Sequence, residues 1–281
     1  MKVLLLGRRG QVGSALVGLL APLGEVFAAG REELDMAAPG EIREIVRRVR
    51  PDIIVNAAAY NAVDRAESEP DAAFAVNAIA PGVLGEESRK LNALLVHYST
   101  DYVYDGAKAG AYLEDDPPGP INAYGKFKLA GDHAIAASGC RHFIFRTSWV
   151  YGARGGNFLL TILRAARERP ELRVVDDQRG APTSAVAIAE ATVRALARPE
   201  AAPGIYHLSA AGETTWHGFA AAILEAAGLR AQLHAIRSEE YITAARRPRN
   251  SLLDNAKLRA TFGVALPDWR AGLAQVMREL A

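Results

Sequence analysis

Met1-Lys2-Val3-Leu4-Leu5-Leu6-Gly7-Arg8-Arg9-Gly10-Gln11-Val12-Gly13 opens the chain with a short apolar run, then a turn carrying glycines at 7, 10 and 13. An amphipathic stretch, Val12–Leu20, follows at once. A buried strand that turns sharply into a helix is the first half of a βαβ unit. Glycines in that turn allow a tight bend, close approach of a pyrophosphate to the backbone, and close packing of helix on strand. The helix start adds unpaired N–H groups and a partial positive charge. The spacing is G-x-x-G-x-x-G and departs from the usual G-x-G-x-x-G, but its place between strand and helix predicts a dinucleotide site on Gly7, Gly10, Gln11, Val12 and Gly13.

The same alternation continues outward. Further strands are predicted at Val26–Ala29, Ile53–Asn56, Leu94–Ser99 and Phe143–Thr147, with helices at Pro39–Arg50, Ala72–Leu91 and Ala123–Ser138. The strand runs are continuously apolar, as expected where helices cover both faces of a parallel sheet. The fold class is therefore α/β, a doubly wound parallel sheet of the Rossmann kind. Beyond Trp149 the texture changes, with a helix near Phe158–Glu168, a strand near Leu172–Asp176, a helix start at Pro182-Thr183-Ser184 and a strand at Ile205–Leu208. From Gly212 onward mostly helices are expected, including Thr215–Ala227 and Pro267–Leu280. This organisation predicts a nucleotide-binding domain from residues 1–149 and 182–210, and a smaller, mostly helical substrate lobe from 150–181 and 211–281.

Composition narrows the function classes. The 281 residues are 50% hydrophobic and 23% charged with a formal net charge of +1, so no global field attracts nucleic acid or an acidic membrane. No apolar run approaches a membrane span, and the opening run is too short and lacks a cleavage site for a signal peptide, so a cytoplasmic protein is expected. Cys140 is the only cysteine, which excludes an internal disulfide and a thiolate cluster. The six histidines have no partners at metal-ligand spacing; His97 reads as a core residue within its strand.

The second strand ends Ala28-Ala29-Gly30-Arg31, where an acidic residue takes the ribose hydroxyl of NAD and an arginine suits a 2′-phosphate. Arg31, with Arg8 and Arg9, tilts the reading toward NADPH; Asp35, followed by Met36, is near enough to touch the adenosine and leaves NADH use open. The third strand delivers Asn56-Ala57-Ala58-Ala59 to the same edge, where small side chains leave room for a cofactor. The fourth delivers Thr100, Asp101 and Tyr102. The helix that follows carries Tyr124 and Lys128 four residues apart, on one face, close enough for an ammonium to favour phenolate.

With these residues in place the sequence resembles the extended short-chain dehydrogenase/reductase superfamily. Within it, Gly10-Gln11-Val12-Gly13, Val55-Asn56-Ala57-Ala58-Ala59, Ser99-Thr100-Asp101-Tyr102-Val103, Tyr124-Gly125-Lys126, Arg146-Thr147-Ser148-Trp149-Val150-Tyr151 and Gly180-Ala181-Pro182-Thr183 are similar to the dTDP-4-dehydrorhamnose reductase family. The resemblance implies reduction of a keto nucleotide sugar. Tyr124 would donate a proton to the ketone oxygen, Lys128 would lower the tyrosine pKa and bond the nicotinamide ribose, and Thr100 would stabilise the developing alkoxide. Asp101, Tyr102 and Trp149 would meet the sugar, with core packing the plain alternative for Trp149. Dehydratases of the superfamily carry an Asp-Glu pair after this threonine; Tyr102 has no carboxylate, which favours reduction over elimination. Arg246, Arg247 and Arg249, beside Asn250 and Ser251, are the expected cationic supply for the substrate diphosphate, with Arg247 and Asn250 expected to touch the substrate, against the alternative of a solvated basic loop. The resemblance also admits a homodimer. Some family members bridge their dimers with Mg²⁺ held by glutamates; the sequence does not identify those ligand positions here and leaves Mg²⁺ open. A reductase of another keto nucleotide sugar and a non-catalytic, dinucleotide-binding regulatory relative are the competing readings.

Overall fold

A computed structural model describes all residues, 1–281. Strands β1 (Lys2–Leu6), β2 (Glu25–Ala29), β3 (Ile53–Asn56), β4 (Leu94–Thr100) and β5 (Arg141–Thr147) fall where the apolar runs predict them. β6 (Glu171–Val175), β7 (Gly204–His207) and β8 (Gln232–Ile236) follow. The main sheet is six-stranded, in the order β7-β5-β4-β3-β1-β2, and every pairing in it is parallel. The order reverses at β1, so the crevice at the carboxyl ends of β1, β2 and β3 is where a ligand binds such a sheet.

Alternate residues of each strand supply different cores. Val3, Leu5, Ile53, Val55, Leu94, Val96, Phe143 and Phe145 pack on one face, against helices α1 (Gln11–Leu20) and α6 (Ala185–Leu196). Leu4, Leu6, Ile54, Leu95 and Ile144 pack on the other, against α2 (Pro39–Val49), α3 (Ala80–Leu91) and α4 (Ala123–Ser138). Two buried faces explain why the strand sequences are apolar without alternation. In α2, Ile42, Ile45, Val46 and Val49 form the buried stripe, Pro39 sits at the start, and Arg47 and Arg48 lie in the last turn, where cations suit the helix dipole.

The expected helix over Ala72–Leu91 is broken. Short helices at Arg65–Ser68 and Pro70–Phe74 lead into a π-helical turn, Ala75–Ile79, before α3 begins. Pro81 has no N–H to give the carbonyl four residues back, at Asn77, and the wider turn accommodates that loss.

The lobe has its own core, built from α5 (Phe158–Glu168), α7 (Trp216–Ala227), α9 (Trp269–Leu280) and the parallel pair β6–β8. β8 is a strand within the stretch expected to be mostly helical. Helix α8 (Ala256–Phe262) also departs from the expected division, because Leu258, Phe262, Val264 and Leu266 pack with Phe143, Phe145 and Tyr206 of the main sheet. We assign residues 256–266 to the nucleotide-binding domain on that packing. No helix is long and apolar enough to cross a membrane.

Candidate active site

The glycine turn is built as the sequence predicts, each glycine for a different reason. Gly7 adopts a φ of +84°, and a Cβ there would come within 2.7 Å of the Ala57 backbone. A Cβ on Gly13 would sit 2.0 Å from the Gly7 carbonyl oxygen, so Gly13 seats α1 on the turn and does not face the cavity. Gly10 starts the helix with no side-chain cap, and no acidic residue occupies the first turn. The first N–H groups of α1 are therefore free for an anion.

A cavity of about 670 Å³ opens at this turn. Its walls include Gly7, Gly10, Arg31, Asp35, Met36 and Ala57–Ala59, all expected from the sequence, and also Arg9, Glu32, Leu34, Asn61 and Val76. Two of the three arginines near it are already matched: Arg8 pairs with Glu33, and Arg9 with Glu32. Glu33 also accepts the Gly30 N–H at 2.7 Å, which is the main reason its carboxyl lies below the usual range. Arg31 makes no ion pair, which makes it the available guanidinium at this end.

A second cavity, of about 320 Å³, shares Gly10, Ala57–Ala59 and Asn61 with the first. It brings together Gln11, Val12, Asn56, Thr100, Asp101, Tyr102, Tyr124, Lys128 and Trp149, residues drawn from five separate stretches of chain. The placement of Tyr124 follows from its neighbours. Asn122 caps α4, accepting the Gly125 N–H at 2.8 Å, and its amide nitrogen donates to the Arg246 carbonyl at 2.7 Å. A Cβ on Gly125 would lie 2.1 Å from the Tyr102 carbonyl oxygen, so only glycine lets the helix start lie against the turn after β4. Tyr102 and Tyr124 meet edge to face at 5.9 Å. The Tyr124 hydroxyl is 3.5 Å from Asn61 Oδ1.

Thr100 ends β4, accepting the Tyr102 N–H at 3.1 Å and donating to Asp101 Oδ1 at 3.2 Å. Asp101 is buried, and its Oδ2 has no partner. Burial pushes this carboxyl up to about 7, against the pull of Ser251 and Thr100. Burial and then the Asp101 charge hold the Tyr124 phenol above its ordinary range, with the Thr100 hydroxyl acting the other way.

Lys128 is fully buried, and its Nζ bonds the Tyr98 carbonyl at 2.6 Å and His97 Nε2 at 3.1 Å. Burial lowers its pKa to about 8. The expectation that its ammonium lowers the tyrosine pKa is therefore not what this arrangement displays. The cation is itself weakened by desolvation, and the carboxyl beside Tyr124 acts in the opposite sense.

Trp149 has a φ of +48° and stacks on Trp216, with ring centroids 3.6 Å apart and planes 9° from parallel. Its ring also lies where any side chain at Gly180 would collide, at 2.4 Å. Both indoles line the cavity. Trp216, Asn61, Val63, Tyr98, Ser99 and Thr147 were not legible as wall residues. Trp216 is 67 positions from Trp149 with no spacing signal, and only the packing of α7 brings it in. Ser99 is part of the strand-end motif, and that alone could have pointed to it.

The basic loop divides. Arg247 grips Asp64 through two nitrogens, at 2.7 and 3.1 Å; its charge is felt at Tyr102 of the cavity wall, but it lines neither cavity and is already paired. Arg249 pairs with Glu239 on the surface. Asn250 is buried and spends its amide on the Lys108 and Gly110 carbonyls and the Leu252 N–H. A side chain so occupied holds the 108–110 and 250–252 stretches together, and it lines neither cavity.

The family described as RmlD substrate binding domain matches residues 1–281. A dTDP-4-dehydrorhamnose reductase of Burkholderia thailandensis is 48% identical, over 100% of this chain and 99% of the relative. The enzyme of that name from Escherichia coli K12 is 44% identical, over 100% and 98%. Among solved structures, a dTDP-4-dehydrorhamnose reductase from Bacillus anthracis in complex with NADP superimposes with a TM-score of 0.95 at 34% identity, covering 99% of each chain.

Proposed function

Because this chain belongs to the RmlD substrate-binding family, whose relatives named above are dTDP-4-dehydrorhamnose reductases, we propose that it reduces the 4-keto group of dTDP-4-dehydro-L-rhamnose to give dTDP-L-rhamnose, using NADPH. The observation that carries the reading is the meeting of Thr100, Tyr124, Lys128 and Trp149 around one cavity that continues into the glycine-turn cavity.

The dinucleotide fits the residues present. The glycine turn leaves a cradle beside Ala57–Ala59 that side chains would fill, and the uncapped start of α1 faces it. Gln11 and Val12 belong to that first turn, and Asn56 fixes the edge of the next strand. Arg31 is suited to a 2′-phosphate, with Asp35 and Met36 beside it. When bound, the cofactor supplies the hydride.

The rest of the work falls to side chains of this chain. Tyr124 delivers its phenolic proton to the ketone oxygen as that oxygen gains charge. Thr100 donates a hydrogen bond to the same oxygen, exchanging its bond to Asp101 for one to the substrate. The Trp149–Trp216 stack presents a flat apolar wall suited to one face of the hexose. Tyr102 fills the place where an eliminating enzyme needs a carboxylic acid, so the constellation serves reduction alone. Mixing the protein with NADPH and the keto sugar nucleotide while following absorbance of the reduced cofactor tests the reading. Oxidation of NADPH with formation of dTDP-L-rhamnose is expected. Cofactor binding without turnover would place the chain among non-catalytic relatives.

A further inference from the structure

The buried end of Lys128 closes a line of hydrogen bonds whose direction is set from its other end. Ala58, in the wall shared by both cavities, donates its N–H to Asn56 Oδ1 at 3.2 Å. That fixes the amide, so the atom 3.0 Å from His97 Nδ1 is Asn56 Nδ2. An amide nitrogen only donates, and His97 Nδ1 therefore accepts and carries no proton. Burial, followed by the charge of Lys128, holds this imidazole well below its ordinary range, which leaves it neutral with its one proton on Nε2. Nε2 faces Lys128 Nζ at 3.1 Å, and an N–H pointed there needs a lone pair that only the uncharged amine has. The amine's own protons go to the Tyr98 carbonyl.

We propose that His97 is a positioning residue which, locked by Asn56 as the Nε2–H tautomer, favours the neutral amine of Lys128 and so lowers the pH at which the lysine discharges. To face an ammonium, the line has to reverse: the ring proton moves to Nδ1 and the Asn56 amide turns over, losing the bond from Ala58. The other groups near Lys128 do not remove this preference. Asp132, one turn on, favours the cation but makes no bond to Nζ: its Oδ2 is shared by Arg146 Nε at 3.2 Å and the Ser99 hydroxyl at 2.9 Å, and its Oδ1 has no partner. Tyr124, on the preceding turn, makes no bond to Nζ, and the charge of Asp101 is felt at Tyr124.

The consequence for turnover rests on the reductase reading: burial and Asp101 outweigh the ammonium at Tyr124 in this structure, and whatever support Lys128 gives that acid requires its charged form. In that case kcat/KM falls with rising pH as Lys128 discharges, near pH 8. The decisive measurement uses cofactor-free protein. Side-chain ¹⁵N and ¹³C NMR of the six lysines, with Lys128→Met for assignment, follows the titration directly, and imidazole ¹⁵N shifts report the His97 tautomer. His97→Gln offers a carbonyl that accepts from an ammonium, so the Lys128 titration moves up by about one unit or more and the alkaline limb of kcat/KM moves with it. A protonated Nδ1 in the unaltered protein overturns the proposal, and so does an unmoved Lys128 titration in His97→Gln. If His97→Gln does not fold, the tautomer measurement decides alone. Absence of turnover alongside the expected NMR behaviour overturns the reductase reading and leaves the His97 assignment standing.

Discussion

Around Gly7 and Gly10 the wall of the large cavity is largely backbone, alanine and aliphatic side chains; of the charges around it, Arg8 pairs with Glu33 and Arg9 with Glu32 at the surface, and Arg31 makes no ion pair. Around Thr100, Asp101, Tyr124 and Lys128 the wall of the neighbouring cavity is buried or half-buried side chains, several with displaced proton affinities. The difference separates binding from chemistry. A pyrophosphate needs N–H groups and space, which a chain supplies by conformation alone. A proton transfer needs acids and bases out of water, where burial changes their affinity for protons.

That contrast predicts which substitutions damage which half. Tyr124→Phe should lower kcat by roughly 10²–10⁴-fold, the usual range for a lost general acid, while the dissociation constant for NADPH stays unchanged in a fluorescence titration. Wild-type turnover in that variant would break the division. Gly13→Ala acts on the other side. Its methyl would lie 2.0 Å from the Gly7 carbonyl oxygen, and the forced shift should cost about 1–3 kcal/mol of stability and weaken NADPH binding. Thermal melts with and without cofactor would check both effects.

Arg31→Ala sharpens the comparison within the cradle. Losing a charge-assisted bond to the 2′-phosphate should reduce kcat/KM with NADPH by about tenfold and leave the NADH value alone. Equal losses with both cofactors would show that Arg31 does not read the phosphate. The smallest effect concerns Asp101, whose folded-state pKa is raised to about 7. Between the ordinary carboxylate range and pH 7 the folded protein binds more protons than the unfolded chain, so this group's contribution to stability falls as pH rises through that window. Asp101→Asn should therefore melt a few degrees, roughly, above the parent at pH 8 and converge with it near pH 4. An Asn advantage that grew on acidification would contradict the buried-carboxyl account.

Much of the first half of the molecule could be read from its residues. The apolar strand runs, the glycine turn and the Tyr-x-x-x-Lys spacing are local signals, because strand burial, a positive φ and a shared helix face depend on neighbours a few positions away. The lobe was less legible. β8 is only five residues long, with Ile236 its one buried residue, and it is a strand through its pairing with the distant β6; α8 crosses back to the main sheet because its apolar face is complementary to Phe143, Phe145 and Tyr206, again a match between distant stretches.

The candidate site divides in the same way. By itself the sequence determined which residues reach the carboxyl edge of the sheet, since strand ends and helix faces follow from periodicity. Only the tertiary structure decided their partners: that Asn250 is consumed by the loops around it, that Arg247 is held by Asp64, that Trp216 backs Trp149, and that His97 meets the lysine. It also decided the sign of the electrostatics. A sequence places an ammonium four residues from a phenol, but whether that ammonium keeps its charge depends on burial and on the hydrogen bonds that reach it across the sheet.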